Sequence, residues 1–203
     1  MIDAGDLSER LELLELKETQ PDTWEWVSGG RLWAQVEVDG GKNLFSSVGI
    51  GTRNAKLVLR TRPLDLHQAL RWKEQHLFLT GITKLDRMHL AVSAALVETV
   101  VCKAQRSRSA VDPDRNNRPV STQLPELSFP GVLTEKYARY ESADTYASAK
   151  TLLVLVTPKA VELLEGDLVT VTEGAAKAVY NVQARHTLDA FKNEYELLWS
   201  RDV

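Results

Sequence analysis

Apolar residues alternate with polar ones along most of this chain, in short runs that suit half-buried β-strands better than helices. Leu32, Ala34, Val36 and Val38 alternate through residues 31–38. Strand-like runs follow at 56–61, around 70–72, at 76–82 and at 88–101. A second series occupies 134–141, 151–157, 168–172, 179–186 and 195–200. Glu165-Gly166-Asp167 and Gly174 supply turns within that series. Near the start, Leu11 and Leu13 alternate with Glu12, but Leu7, Leu11 and Leu14 also make a helical stripe. The expectation there is a short turn feeding a strand at 11–16. Residues 19–30 read as a loop punctuated by Pro21-Asp22 and Gly29-Gly30, with Trp24 and Trp26 anchoring it on a core. Val161-Glu162-Leu163-Leu164, after Pro158, reads as one helical turn.

The two series resemble each other in order. Trp33-Ala34-Gln35-Val36-Glu37 lines up with Tyr137-Ala138-Arg139-Tyr140-Glu141, and Leu57-Val58-Leu59-Arg60-Thr61 with Leu153-Val154-Leu155-Val156-Thr157. Leu77-Phe78-Leu79 matches Tyr180-Asn181-Val182, and Leu85-Asp86 matches Leu188-Asp189. The offset drifts from 104 to 96 to 103, as loop insertions would make it. A tandem duplication explains this most simply. The expected fold is all-β: two small barrel or sandwich domains in tandem, joined by a polar linker. The domains are expected at 1–102 and 127–203, with the linker at 103–126, where Pro, Ser, Asn and Arg dominate. The first domain carries a long loop, 39–54, with four glycines; its counterpart in the second copy is about eight residues shorter.

Composition narrows the function more than the fold. The chain has 203 residues, 43% hydrophobic and 26% charged, as soluble globular proteins do. A net charge of -3 gives no broad attraction to nucleic acid. No apolar run is long enough to span a bilayer, and the N-terminus lacks the basic start and apolar core of a secretory signal. The lone Cys102 lies in the apolar run Val100-Val101-Cys102 and reads as a small buried hydrophobe, with synthesis in the cytosol.

No catalytic constellation is legible, and no cofactor or metal is expected. His67, His76, His89 and His186 are scattered. Gly49-Ile50-Gly51 lacks the third glycine of a nucleotide loop, and Gly40-Gly41-Lys42-Asn43 lacks the hydroxyl residue after the lysine. Glu9, Glu12, Glu15 and Glu18 recur every three residues and read as a solvated face. The strand aromatics Trp33, Trp72, Phe78, Tyr180 and Tyr195 lie beside aliphatics and read mainly as core.

The opening Ala4-Gly5-Asp6-Leu7, then Arg10-Leu11-Glu12-Leu13, is similar to that of tailed-phage head–tail joining proteins, the head-closure or stopper connectors. The resemblance continues through Trp33-Ala34, Leu57-Val58-Leu59-Arg60-Thr61-Arg62, the hairpin His76 to Ile82, and Asp86 before a last long strand. It covers residues 4 to 100; Gly166-Asp167-Leu168-Val169, Val179-Tyr180-Asn181-Val182 and Phe191 to Leu197 resemble the closing part of related connector or minor capsid proteins. Members of that family usually have one domain, so a chain with two departs from them.

The resemblance implies a non-enzymatic virion protein. It would form a ring of 6 or 12 copies in the phage neck, assembled in the host cytoplasm. Portal and adaptor proteins would lie above it and tail-terminator or tail proteins below, and it would close the DNA channel and dock the tail. The long loop would then be the channel loop: Gly40, Gly41, Lys42, Asn43, Ser46, Ser47, Gly49, Gly51, Thr52 and Arg53. Glycines and small polar residues let symmetry-related loops crowd an axis, with Lys42 and Arg53 in weak contact with packaged DNA. Unpaired strand edges would serve pairing between neighbours. Two alternatives stay open: a tail-terminator or other neck protein on the tail side, and a small barrel binding nucleic acid or a ligand.

Overall fold

The computed structural model describes residues 4–38, 53–112, 118–139 and 149–202. The chain is all-β: among the described residues, every element after a 3-10 turn, Ala4–Asp6, is a strand. It divides into two compact units. The first comprises Met1–Lys17, Trp26–Thr99 and Val132–Thr151; the second comprises Glu18–Glu25, Val100–Gly131 and Leu152–Val203.

The first unit is built on β1 (Glu9–Gln20), β2 (Thr23–Val38), β3 (Arg53–Arg60), β4 (Ala69–Trp72), β5 (Gln75–Lys84) and β6 (His89–Val97). Their order is β1-β4-β5-β6-β3-β2, and β1 also pairs with β2, so the six strands close into a cycle. Alternation decides what the cycle encloses. Leu57 and Leu59 of β3, Leu77 and Leu79 of β5, and Val92 and Ala94 of β6 all turn inward. Leu11, Leu13, Ala34 and Leu70 complete that core. The β4–β5 turn puts Lys73 and Glu74 at φ 48° and 63°, the conformation a two-residue hairpin demands. Lys73 is held there by Glu9, 3.2 Å from its ammonium, and by the Trp72 ring, 4.4 Å away.

The second unit uses β7 (Val100–Gln105), β8 (Ser107–Asp112), β9 (Arg118–Gln123), the start of β10 (Leu127–Arg139), most of β11 (Ala149–Pro158), β12 (Leu168–Glu173), β13 (Ala176–His186) and β14 (Lys192–Asp202), the rest of β10 and β11 being counted in the first. Its larger sheet runs β10-β11-β14-β13-β12-β7, and β10 also pairs with β7, closing a second cycle of six strands. Starting from β7 and matching β7, β10, β11, β12, β13 and β14 to β1, β2, β3, β4, β5 and β6 in turn, the two cycles have one strand order. One strand order thus recurs in both cycles.

The likeness extends to the turns. Asp86 accepts the backbone N–H groups of Met88 and His89, at 2.6 and 2.8 Å; Asp189 accepts those of Phe191 and Lys192, at 2.7 and 3.2 Å. Before β4, the Gln68 amide oxygen accepts the Asp65 N–H while the Gln68 N–H donates to the Asp65 carbonyl. Before β12, Asp167 does both for Leu164. Each copy thus spends a side chain on the same orphan backbone donor.

Four expectations are corrected. The loop expected at 19–30 is a hairpin: β1 and β2 run long and meet at Pro21-Asp22, with Asp22 at φ 60°. Thr23, Trp24, Trp26 and Val27 favour strand, and the strand carries Gly29 close under the Glu15 side chain. The polar linker at 103–126 is instead the end of β7 and the two-stranded ribbon β8–β9, inside the second unit. Ser107 pairs with Gln123 and Asp112 with Arg118. The ribbon's strands, Ser-Arg-Ser-Ala-Val-Asp and Arg-Pro-Val-Ser-Thr-Gln, are mostly polar and hold no run of alternating apolar residues, so no hydrophobic period announces them. The single strand expected at 88–101 is two, β6 and β7, and the unit boundary falls between Thr99 and Val100 rather than after 102. Finally, 161–164 is no helical turn. The Val161 carbonyl accepts Asn193 Nδ2 at 2.9 Å and the Tyr195 hydroxyl at 3.1 Å, and that hydroxyl accepts the Leu163 N–H at 3.0 Å. Tyr195 thereby carries an irregular segment across the buried end of the second core.

Candidate functional site

The channel loop expected from Gly40 to Thr52 lies outside the described residues; of its named members only Arg53 is described, as the exposed first residue of β3, opposite Leu96. The strands on either side of the loop are adjacent, with Val38 paired to Ala55. The loop therefore leaves one end of the first cycle between two neighbouring strands.

Titratable groups are dispersed. Among the described residues no three His, Cys, Asp or Glu side chains gather as a metal site would need. The β1 carboxylates are tied into the surface. Glu9 accepts the Trp72 indole N–H at 2.8 Å and the Lys73 ammonium at 3.3 Å, and these bonds hold its carboxyl below the usual range. Glu12 is lowered by hydrogen bonds from Ser28 and Arg71. The Asp86 carboxyl is lowered as well, first by the His89 imidazole and then by the Met88 N–H. Cys102 is fully buried, and burial pushes its thiol up to about 12, which leaves no thiolate for nucleophilic work.

His76 is the odd histidine. It is buried in the first unit, its ring 5.2 Å from that of Trp26, and its Nε2 has no hydrogen-bond partner among the described residues. Burial, with a smaller push from Arg71, drives its pKa down to about 4. A neutral imidazole locked against an indole is a packing element, and its geometry offers no proton to a substrate.

What the surface does present is apolar relief. In the first unit a groove of about 550 Å3 runs over Leu7, Leu32 and Leu59 between Trp33 and the arginines Arg60 and Arg62. Trp33 is 58% exposed, a correction to its expected place in the core. The signal for this was in the alternation: Leu32 and Ala34 turn inward, so Trp33 between them must turn out. The neighbouring hairpin extends the patch, because the Met88 carbonyl accepts the Thr61 N–H at 2.7 Å and both Leu85 and Met88 are exposed. In the second unit the equivalent hairpin holds Leu188 wholly in solvent, at 102% exposure. Lys159 braces that hairpin, donating to the Thr187 and Asp189 carbonyls at 2.7 Å each.

Of the other aromatics read as core, only Tyr195 is fully buried; Trp72, Phe78 and Tyr180 are half-buried. Among the described residues no helix is long and apolar enough to cross a membrane. Compared with known proteins, the chain matches no protein-family model and no curated protein.

Proposed function

We propose that this chain is a structural subunit of the tailed-phage neck, a head-closure type of head–tail connector, whose two six-strand cycles act as paired β-barrels packed around an axis. The observation that carries this reading is the repetition of one strand order and one set of Asx turns in both units. Such a repeat stiffens a shape twice over without adding chemistry. The dispersal of titratable groups and the exposed apolar relief support the same reading, since shape proteins spend surface on contact. Cycles without open edges direct neighbour contacts toward hairpins and grooves, and away from edge-to-edge strand pairing. The free edges of the described strands lie on the β8–β9 ribbon, where Arg106 ties Asp22 at 2.6 Å and Arg108 ties the buried Asp167 at 3.0 Å.

Residues 40–52 are the candidate channel loop in this reading. Replacing them with a short turn leaves the fold intact, because the loop joins strands already paired at Val38 and Ala55. The expected result is heads that package DNA and then lose it. Normal yields of DNA-filled, infectious particles from the shortened protein would remove the loop from the mechanism.

A further inference from the structure

A ring built by rotation needs two different, mutually complementary patches on each subunit. The first patch is concave. Leu7, Leu32 and Leu59 line its floor, Trp33 stands at its wall, and Arg60 and Arg62 supply positive charge. The Arg62 Nε is buried and has no hydrogen-bond partner among the described residues. An unpaired guanidinium N–H shielded from water is an unmet demand for an acceptor. The second patch is convex. Leu188 projects fully into solvent from the β13–β14 hairpin, and Asp189 follows it.

The hairpin is held rigid before any contact. One Asp189 oxygen is taken up by the Phe191 and Lys192 N–H groups, and Lys159 holds the carbonyls of Thr187 and Asp189. A knob fixed in advance loses little entropy on docking. Polar residues are the usual occupants of turn tips, and Asp189 is explained by its Asx turn. Leu188 is explained by nothing within its own unit. The matching hairpin of the first unit is tied to that unit's groove, since the Met88 carbonyl accepts the N–H of Thr61, a residue of its lining.

We infer that the chain associates head to tail with further copies of itself, the Leu188–Asp189 hairpin of one copy seated in the Trp33 groove of the next. Leu188 packs against the exposed Trp33 ring at the groove, and the Asp189 carboxylate faces the arginine pair. Burying an aromatic wall and a leucine beside an arginine–carboxylate contact is the composition that dominates interface energies. This rests on the ring-forming reading above and specifies its interface.

The test is disulfide trapping between two single variants, Trp33→Cys and Leu188→Cys, mixed in equal amounts and oxidised. Both positions are more than half exposed, and circular dichroism and urea midpoints verify that each variant is folded. The native Cys102 stays silent, being buried with a thiol pushed up to about 12. The expected result is a mixed dimer that neither variant yields alone. Leu188→Ala should weaken self-association of the full chain about tenfold, and Leu188→Arg should abolish it. Oligomers seen by light scattering without the mixed disulfide would overturn this interface while sparing the ring. Neither association nor cross-link at the highest soluble concentration would overturn the head-to-tail contact itself.

Discussion

Gly131→Val lowers the stability of the second unit by about 3 kcal/mol. Gly131 sits on β10 opposite Val100, and a Cβ built there would stand 2.7 Å from Leu155 Cδ1 and 3.0 Å from Cys102 Sγ. Leu155 and Cys102 are fully buried, so neither can swing into solvent to make room. A close-packed interior accommodates an added methyl only by pushing side chains off their rotamers or by shifting strands. The cysteine is the softer wall. Cys102→Ala should therefore relieve part of the cost, and the double variant should be more stable than the sum of the single effects predicts. Urea titrations of the four proteins measure this. Strict additivity would mean that Cys102 does not confine the site.

The second large effect is a loss of stability in mild acid. His76 is neutral in the folded chain down to about pH 4, against an ordinary imidazole value of 6.5. The unfolded chain takes up its proton near 6.5 and the folded chain only near 4, so between those values the unfolded state binds more protons. Stability is complete above pH 6.5 and falls as the pH drops toward 4. The loss across that window is about 3 kcal/mol. His76→Leu keeps an apolar side chain beside Trp26 and removes the proton. Its stability should be nearly level from about pH 7 to about pH 5.5, where the wild-type curve slopes. Parallel curves for the two proteins would place the imidazole in contact with water and contradict the packing seen here. Glu9, Glu12 and Asp86, whose carboxyls are lowered from 4.5, 4.5 and 3.8, add their own loss once the unfolded chain takes up those protons, so the His76 slope is read above about pH 5.5.

The alternation of Leu57 with Leu59 and of Val169 with Val171 was enough to find β3 and β12, because each has one wet face and one dry face. The likeness of the two series was legible for the same reason, and the shared Leu-Asp pair marked equivalent hairpins before their hydrogen bonds were known. What escaped were segments without that contrast. The β8–β9 ribbon has only the short apolar pairs Ala110–Val120 and Val111–Pro119 between polar ones, too few for a period. The Pro21-Asp22 turn was visible, but the strands beside it extend beyond the core and lose their apolar period there. The candidate surface was the least legible. Leu188 looked like any aliphatic residue, and Trp33 like core, until the hairpin and the alternating neighbours of each were placed. The alternation of Leu32 and Ala34 does carry the outward turn of Trp33, whereas the exposure of Leu188 at a hairpin tip is not encoded in its neighbours.

Identity with a neck component is tested most directly by electron cryomicroscopy of phage particles made with a tagged copy of this chain. The account predicts density for paired β-barrels, repeated around the channel axis, between the portal vertex and the tail. Particles complete at that joint, with the tagged chain found elsewhere in the virion or only in the soluble lysate, would contradict it.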